Sequence, residues 1–310
     1  MPITLYPITE NFVAEVGDID LSTPLSAQDE AEIRAAFWKY AVLVFPDQHL
    51  DGDQHVAFAK RFGPLEVALQ VGRTSEGNLR LRPELVDPSN LDADNTISAA
   101  SSRLRMTQLA NRLWHTDSSF RHVPAQASLL YARSIAPAGG HTEFADLRAA
   151  WDALPQSTRN RIAPLVVEHW FMTSRAKVGF MQFTEDERSD LPPVQQLLVR
   201  TIPESGRRSL YLASHATRIV GLADEESHRL LEELTAHATQ RQFVYTHRWR
   251  PLDLVIWDNR CTMHRGTEFD DLRWKRDVQR ATVSDIGNTR DIEAGRADPM
   301  ATQADASAPV

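Results

Sequence analysis

Cysteine is nearly missing from this chain: Cys261 is the single one in 310 residues, so no intramolecular disulfide can form and no thiol pair exists for redox chemistry. Long apolar runs are missing too. No stretch approaches the roughly 18 consecutive apolar residues of a membrane-spanning helix, and the opening MPITLYPITEN has neither a basic start nor an apolar stretch. The expectation is a cytoplasmic protein with no membrane partner. Basic residues are in deficit: 34 Lys and Arg against 42 Asp and Glu give a formal charge of −8, a field that repels phosphate backbones and argues against nucleic-acid binding. No internal repeat is visible.

What is present is an ordinary globular composition, 42% hydrophobic and 25% charged, which supports a sizeable core. A single domain over residues 1–289 is expected, followed by a polar, small-residue tail over 290–310 that frays. From Ser26 the reading SAQDEAEIRAAFWKYA combines an N-cap with Ile33, Ala36, Phe37 and Tyr40 at helical spacing. The run 42–45 reads as a buried strand, and residues 51–62 as a helix stopped by Gly63-Pro64. Residues 66–110 show no sustained apolar period and read as a long loop that forms an active-site lid. Beyond residue 120 come short runs at 127–135, 210–213, 242–249, 254–257 and 278–283, the spacing of a sandwich or barrel rather than a parallel sheet. Helices around 145–154 and 223–238 interrupt it. His55, His228 and His237 lie on expected helices amid polar residues and read as solvated.

Three segments carry residues capable of chemistry. In Trp114-His115-Thr116-Asp117, strand alternation places His115 and Asp117 on one face, roughly 6.6 Å apart, so both can reach one ion. Alone this is weak, because His141-Thr142-Glu143 offers the same triplet, and a histidine bonded to a nearby carboxylate explains either one. A second histidine, His264, follows the apolar strand that ends in Trp257-Asp258-Asn259-Arg260. Two histidines and one carboxylate make the facial triad of non-haem Fe(II) oxygenases, whereas catalytic zinc takes more nitrogen. If 276–283 is a strand, Arg276 and Arg280 share a face, either turned inward toward anionic partners or solvated.

These residues resemble the Fe(II)- and 2-oxoglutarate-dependent dioxygenases of the taurine and 2,4-dichlorophenoxyacetate group. Asn111-Arg112-Leu113-Trp114-His115-Thr116-Asp117-Ser118-Ser119-Phe120 is similar to the metal motif, and His264 to the distal ligand. The resemblance implies a mainly β fold, a double-stranded β-helix or jelly roll with flanking helices and the lid. It implies Fe(II), 2-oxoglutarate and O2 as cofactors, with His115, Asp117 and His264 as metal ligands and catalytic residues. Thr142, Arg276 and Trp257 would hold 2-oxoglutarate, and Arg280, His215 and Asn111 would serve the substrate, although a structural role suits His215 equally. The stretches 113–120, 146–155 and 238–245 look closer to the phenoxyacetate branch. There the expected reaction hydroxylates a small anionic aryloxyalkanoate beside its ether oxygen, with Leu69 and Val71 covering the ring. Alkylsulfonate or sulfate-ester oxidation is the alternative within the same chemistry, and a non-oxidative metal-binding jelly roll the alternative outside it. Self-association is compatible with this reading without being required by it.

Overall fold

The strand Val42–Phe45 shows how the layers arise. All four residues are buried, because alternate side chains leave on opposite faces of a sheet that is covered on both. Leu43 and Phe45 join one core with Ile33, Phe37, Phe58 and Phe62, while Val42 and Val44 join another with Leu130, Phe144, Val255 and Trp257. The computed structural model describes residues 3–69 and 80–297. Its main sheet runs Thr4–Pro7, Val13–Gly17, Val42–Phe45, Leu254–Asp258, Ala125–Ser134, Asp277–Ser284, Leu85–Val86 in spatial order. Among the described residues only the pairing of Val13–Gly17 with Val42–Phe45 is parallel.

One face of this sheet is covered by two helices with side-chain caps. Ser26 accepts from the Asp29 N–H at the start of Ala27–Tyr40, and Asp51 forms a capping box with Gln54 at the start of Gly52–Ala59. Against the other face lies a second antiparallel sheet, Val244–His247, Thr142–Asp146, Thr262–Gly266. Leu130, Phe144 and Trp257 fill the space between the sheets. Each such side chain contributes roughly 1.5–3 kcal/mol by leaving water, which makes the pair of sheets a firm frame. On the far side of the second sheet, Ala145 and Met263 pack with Leu230, Leu231 and Leu234 of Asp224–Ala238. Two sheets face to face with helices outside are the jelly-roll arrangement.

Several expectations need correction. Among the described residues helix and strand are nearly balanced, 28% and 26%, rather than mainly β. Thr142–Asp146 is a strand, and the helix expected from residue 145 starts only at Leu147, where Asp146 accepts from the N–H groups of Arg148 and Ala149. Of the run 210–213 only Leu210 is in a strand. Within 66–110, Leu85–Val86 pairs with Asp277–Ser284, and Ser102 caps the helix Arg103–Gln108, which leads into the 3-10 turn Leu109–Arg112. Six residues make fewer than two turns, too few to show a period. Residues 70–79, Val71 among them, lie outside the described residues.

The chain stays docked as far as Glu293: Asn288 caps Thr289–Glu293, Thr289 Oγ1 accepts from Leu197 N–H and donates to Gln196 Oε1, and Thr201 Oγ1 donates to Glu293 Oε1 at 3.1 Å. The expected tail beyond residue 297 lies outside the described residues. His55 is wholly buried, 3.2 Å from both the Leu129 carbonyl and Gln279 Nε2, and burial drives its pKa down to about 4. It is a neutral core histidine. His237 bonds the Ala150 carbonyl, and His228 is exposed. Among the described residues no helix is long and apolar enough to cross a membrane.

Candidate active site

His115 and His264 are joined through their main chains. Each donates its N–H to the other's carbonyl, at 2.9 and 2.8 Å, in an isolated β-bridge. The strand expected at 115–117 is reduced to this bridge: the chain turns at Asp117, and Ser118 takes a left-handed conformation with φ 51°. The Asp117 carboxylate then lies between the imidazoles, 3.7 Å from Nε2 of each, and the ligand atoms of all three lie within 4.8 Å of one another. His115 Nδ1 is 2.8 Å from the Leu113 carbonyl, so the proton sits there and Nε2 keeps its lone pair for an ion.

Charge follows from burial and neighbours. Burial lowers the pKa of His115, and it takes His264 well below the usual imidazole range with His115 adding to it. Burial alone would raise the Asp117 pKa, but Arg280, His264 and His115 override it and hold it at about 2. Two neutral imidazoles and one ionised carboxylate are the forms that bind a cation.

A supporting layer sets the angle of Asp117. Ser128 Oγ donates to Oδ2 at 2.7 Å, and Asn259 donates from Nδ2 to Ser128 Oγ at 2.9 Å. Asn259 Oδ1 in turn accepts from the Asp117 N–H at 3.2 Å and from Trp257 Nε1 at 3.0 Å. Asn259→Ala is expected to weaken divalent-metal binding by about ten- to a hundredfold. A calorimetric Mn(II) titration measures this, and unchanged affinity would reduce Asn259 to a folding role.

Beside the two histidines opens a cavity lined by Asn111, Thr142, Trp257, Arg276 and Arg280 among others. Trp257 Nε1 is taken by Asn259, and its ring stands 4.7 Å from that of His264. Thr142 Oγ1 accepts from Trp249 Nε1 at 2.9 Å, which leaves its own proton to donate into the cavity. Arg276 keeps its guanidinium without hydrogen bond or ion pair among the described residues; Asn90 Oδ1 accepts only its main-chain N–H. Burial pushes it down to about 10. An unpaired cation beside a hydroxyl donor fits a carboxylate. Arg280 differs, because its Nη1 lies 2.5 Å from Asp117 Oδ1. His215 is buried outside the cavity lining.

Residues 4–282 match the family described as taurine catabolism dioxygenase TauD, TfdA family. The chain belongs to this dioxygenase family. It is 41% identical to the alpha-ketoglutarate-dependent 2,4-dichlorophenoxyacetate dioxygenase of Cupriavidus pinatubonensis, over 92% of this chain and 99% of that one. It is 36% identical to the (S)-phenoxypropionate/alpha-ketoglutarate-dioxygenase of Sphingobium herbicidovorans, over 83% and 88%. Among solved structures it superposes on AAD-2 in complex with Mn(II) and N-oxalylglycine with a TM-score of 0.88, at 46% identity, covering 93% of this chain and all of that one.

Within this TauD/TfdA dioxygenase, sequence reasoning missed two further charged groups near the triad. Glu66 is buried, with its pKa raised by burial; Oε2 accepts from Ser118 Oγ at 2.7 Å, and Oε1 has no partner. Arg175 shares a hydrogen bond with His215. Neither stands in a periodic pattern or a motif, so no signal in the sequence marks them.

Proposed function

We propose that this enzyme is an Fe(II)- and 2-oxoglutarate-dependent dioxygenase that hydroxylates an aryloxyalkanoic acid beside the ether oxygen. The observation that carries the chemistry is the buried two-histidine, one-aspartate cluster next to a cavity whose only uncommitted cation among the described residues is Arg276. The substrate class rests on the relatives named for phenoxyacetate and phenoxypropionate.

His115, Asp117 and His264 hold the ion. When bound, iron with 2-oxoglutarate and dioxygen supplies the oxidising equivalents, and 2-oxoglutarate leaves as succinate and carbon dioxide. Arg276 and Thr142 receive the distal carboxylate of 2-oxoglutarate and so set its direction. Trp257 and Leu130 keep that cavity apolar between its polar ends. The ion pair of Arg280 with Asp117 Oδ1, together with the Ser128 hydrogen bond to Oδ2, holds the carboxylate in one orientation. Residues 1–289 act as one catalytic domain, in which 66–110 forms the lid; Asn90 and Arg105, at the cavity wall, support that reading. With an aryloxyacetate the hydroxylated carbon carries both the new hydroxyl and the ether oxygen, a hemiacetal that collapses to a phenol and glyoxylate.

The test is an assay with Fe(II), 2-oxoglutarate and a panel of phenoxyacetates, phenoxypropionates, taurine and alkyl sulfates. Equal amounts of succinate and phenol from an aryloxy acid are expected. Succinate that rises with taurine or sulfate esters, with no phenol from any aryloxy acid, overturns the substrate assignment and leaves the iron chemistry standing.

A further inference from the structure

Arg276 presents a guanidinium that no other side chain directs. Its tip has no hydrogen bond or ion pair among the described residues, so its aim depends on its own stem and main chain. The sheet does not supply that support. The strand Asp277–Ser284 begins one residue later, and its register against Ala125–Ser134 shifts between Asp277 and Val278. The main chain at 276 therefore needs a partner from outside the ladder.

Asn90 is that partner. It is buried in the wall of the cavity that holds Arg276. Its Oδ1 accepts from the Arg276 N–H at 2.8 Å, while Nδ2 donates to the carbonyls of Asp271 and Trp274 at 2.7 and 2.8 Å. These partners also fix which end of the amide is which, because only nitrogen can donate twice and only oxygen can accept. One planar group thus ties the turn at 271–274 to the residue that follows it.

The surroundings brace this arrangement. Ser89 Oγ accepts from the Val278 N–H at 3.0 Å and donates to the Val278 carbonyl at 2.8 Å. Arg80 bonds both Asp87 and Asp277, and Arg105, which shares the cavity wall, pairs with Asp271 at 3.1 Å. The stem of Arg276 passes Gly140 so closely that a Cβ there would lie 3.6 Å from its Cδ. A shift of the main chain at 276 is thus carried through to the guanidinium.

We propose that Asn90 is a positioning residue for the cosubstrate: by holding the main chain at 276 it aims Arg276 at the distal carboxylate of 2-oxoglutarate. This rests on the reading above in which Arg276 receives that carboxylate. Charge-assisted bonds weaken steeply as their geometry degrades, so the clamp works at full strength only while the amide keeps its three bonds.

The experiment titrates anaerobic full-length enzyme, loaded with Mn(II), with 2-oxoglutarate and separately with 2-oxovalerate, by calorimetry. The second compound has the same carbon chain with a methyl group in place of the distal carboxylate, so the ratio of the two Kd values reads the distal clamp. In Arg276→Ala the preference for 2-oxoglutarate should fall about ten- to a hundredfold. In Asn90→Ala it should fall about three- to tenfold, while the Kd of 2-oxovalerate moves less than about twofold. Combining the two substitutions should give the preference of Arg276→Ala alone, because no guanidinium is left to aim. Asn90→Gln keeps the amide one methylene farther out and should give a smaller fall; it carries the test if Asn90→Ala does not fold. Each preference is a ratio within one sample, and binding of 2-oxovalerate certifies a folded site. A wild-type preference in the Asn90 variants overturns the role of Asn90 and leaves Arg276 as the clamp. A further fall in the double variant overturns it as well, since the effect would not pass through Arg276. A preference that is absent from the wild type, or that survives Arg276→Ala, overturns the cosubstrate reading and this role with it.

Discussion

Asp117→Ala is expected to abolish turnover and metal binding together. The change removes the only carboxylate of the cluster, and two imidazoles do not hold a labile ferrous ion at ordinary concentrations. It also strands Arg280, whose Nε is already buried without a partner and whose Nη1 bonds Asp117. An uncompensated charge in such a place costs roughly 3 kcal/mol, so the metal-free variant should unfold at lower denaturant than the metal-free parent. His115→Ala and His264→Ala should match the loss of activity without that additional instability, because neither strands a charge. Succinate formation and Mn(II) titration read the first effect, and urea midpoints the second. Fe(II)-dependent activity that survives in any of the three variants would sink the metal assignment.

Arg276→Ala should raise the Michaelis constant for 2-oxoglutarate about ten- to a hundredfold, the value of one charge-assisted carboxylate clamp. The affinity for the prime substrate should change far less. Stability should move the opposite way from Asp117→Ala. The folded protein holds the Arg276 guanidinium at about 10, below its ordinary value, which means that folding disfavours its charged form. Without ligand, removing that charge relieves a cost, and the melting temperature should hold or rise. The pairing of weaker cosubstrate binding with equal or better stability marks a residue placed for function. An unchanged Michaelis constant would make Arg276 structural.

Legibility in the sequence followed the range of the interactions. His115, Asp117 and His264 could be named as a candidate ligand set because ligand type and flanking residues are local; Arg276 was not placed by strand alternation, since the strand expected from residue 276 begins only at Asp277, with an irregular register at its first pair. The closing of residues 115 and 264 onto each other was not readable, since it is a main-chain contact between distant segments. His55 was misread for the same reason. Its neighbours Asp53 and Gln54 are polar, and only the later strands bearing Leu129 and Gln279 decide that it is enclosed. Arg280 looked free because nothing in the order of residues says that Asp117 can serve both a metal and a guanidinium. The strand Thr142–Asp146 was partly read as helix because the alanines at 145, 149 and 150 straddle the true boundary at Leu147. Asn90 shows the limit most plainly, because its bonds to the main chain of Asp271, Trp274 and Arg276 are visible only once the surroundings are assembled.

The bridge between His115 and His264 bears on how the protein matures. Chain closure between distant residues carries an entropic cost that grows with the logarithm of their separation. Here peptide groups close the ring, so the ion does not have to gather its own ligands from an open chain. An ion bound here is therefore expected to be removable by chelation without loss of the fold, in contrast to zinc fingers, in which the ion and the fold are gained and lost together.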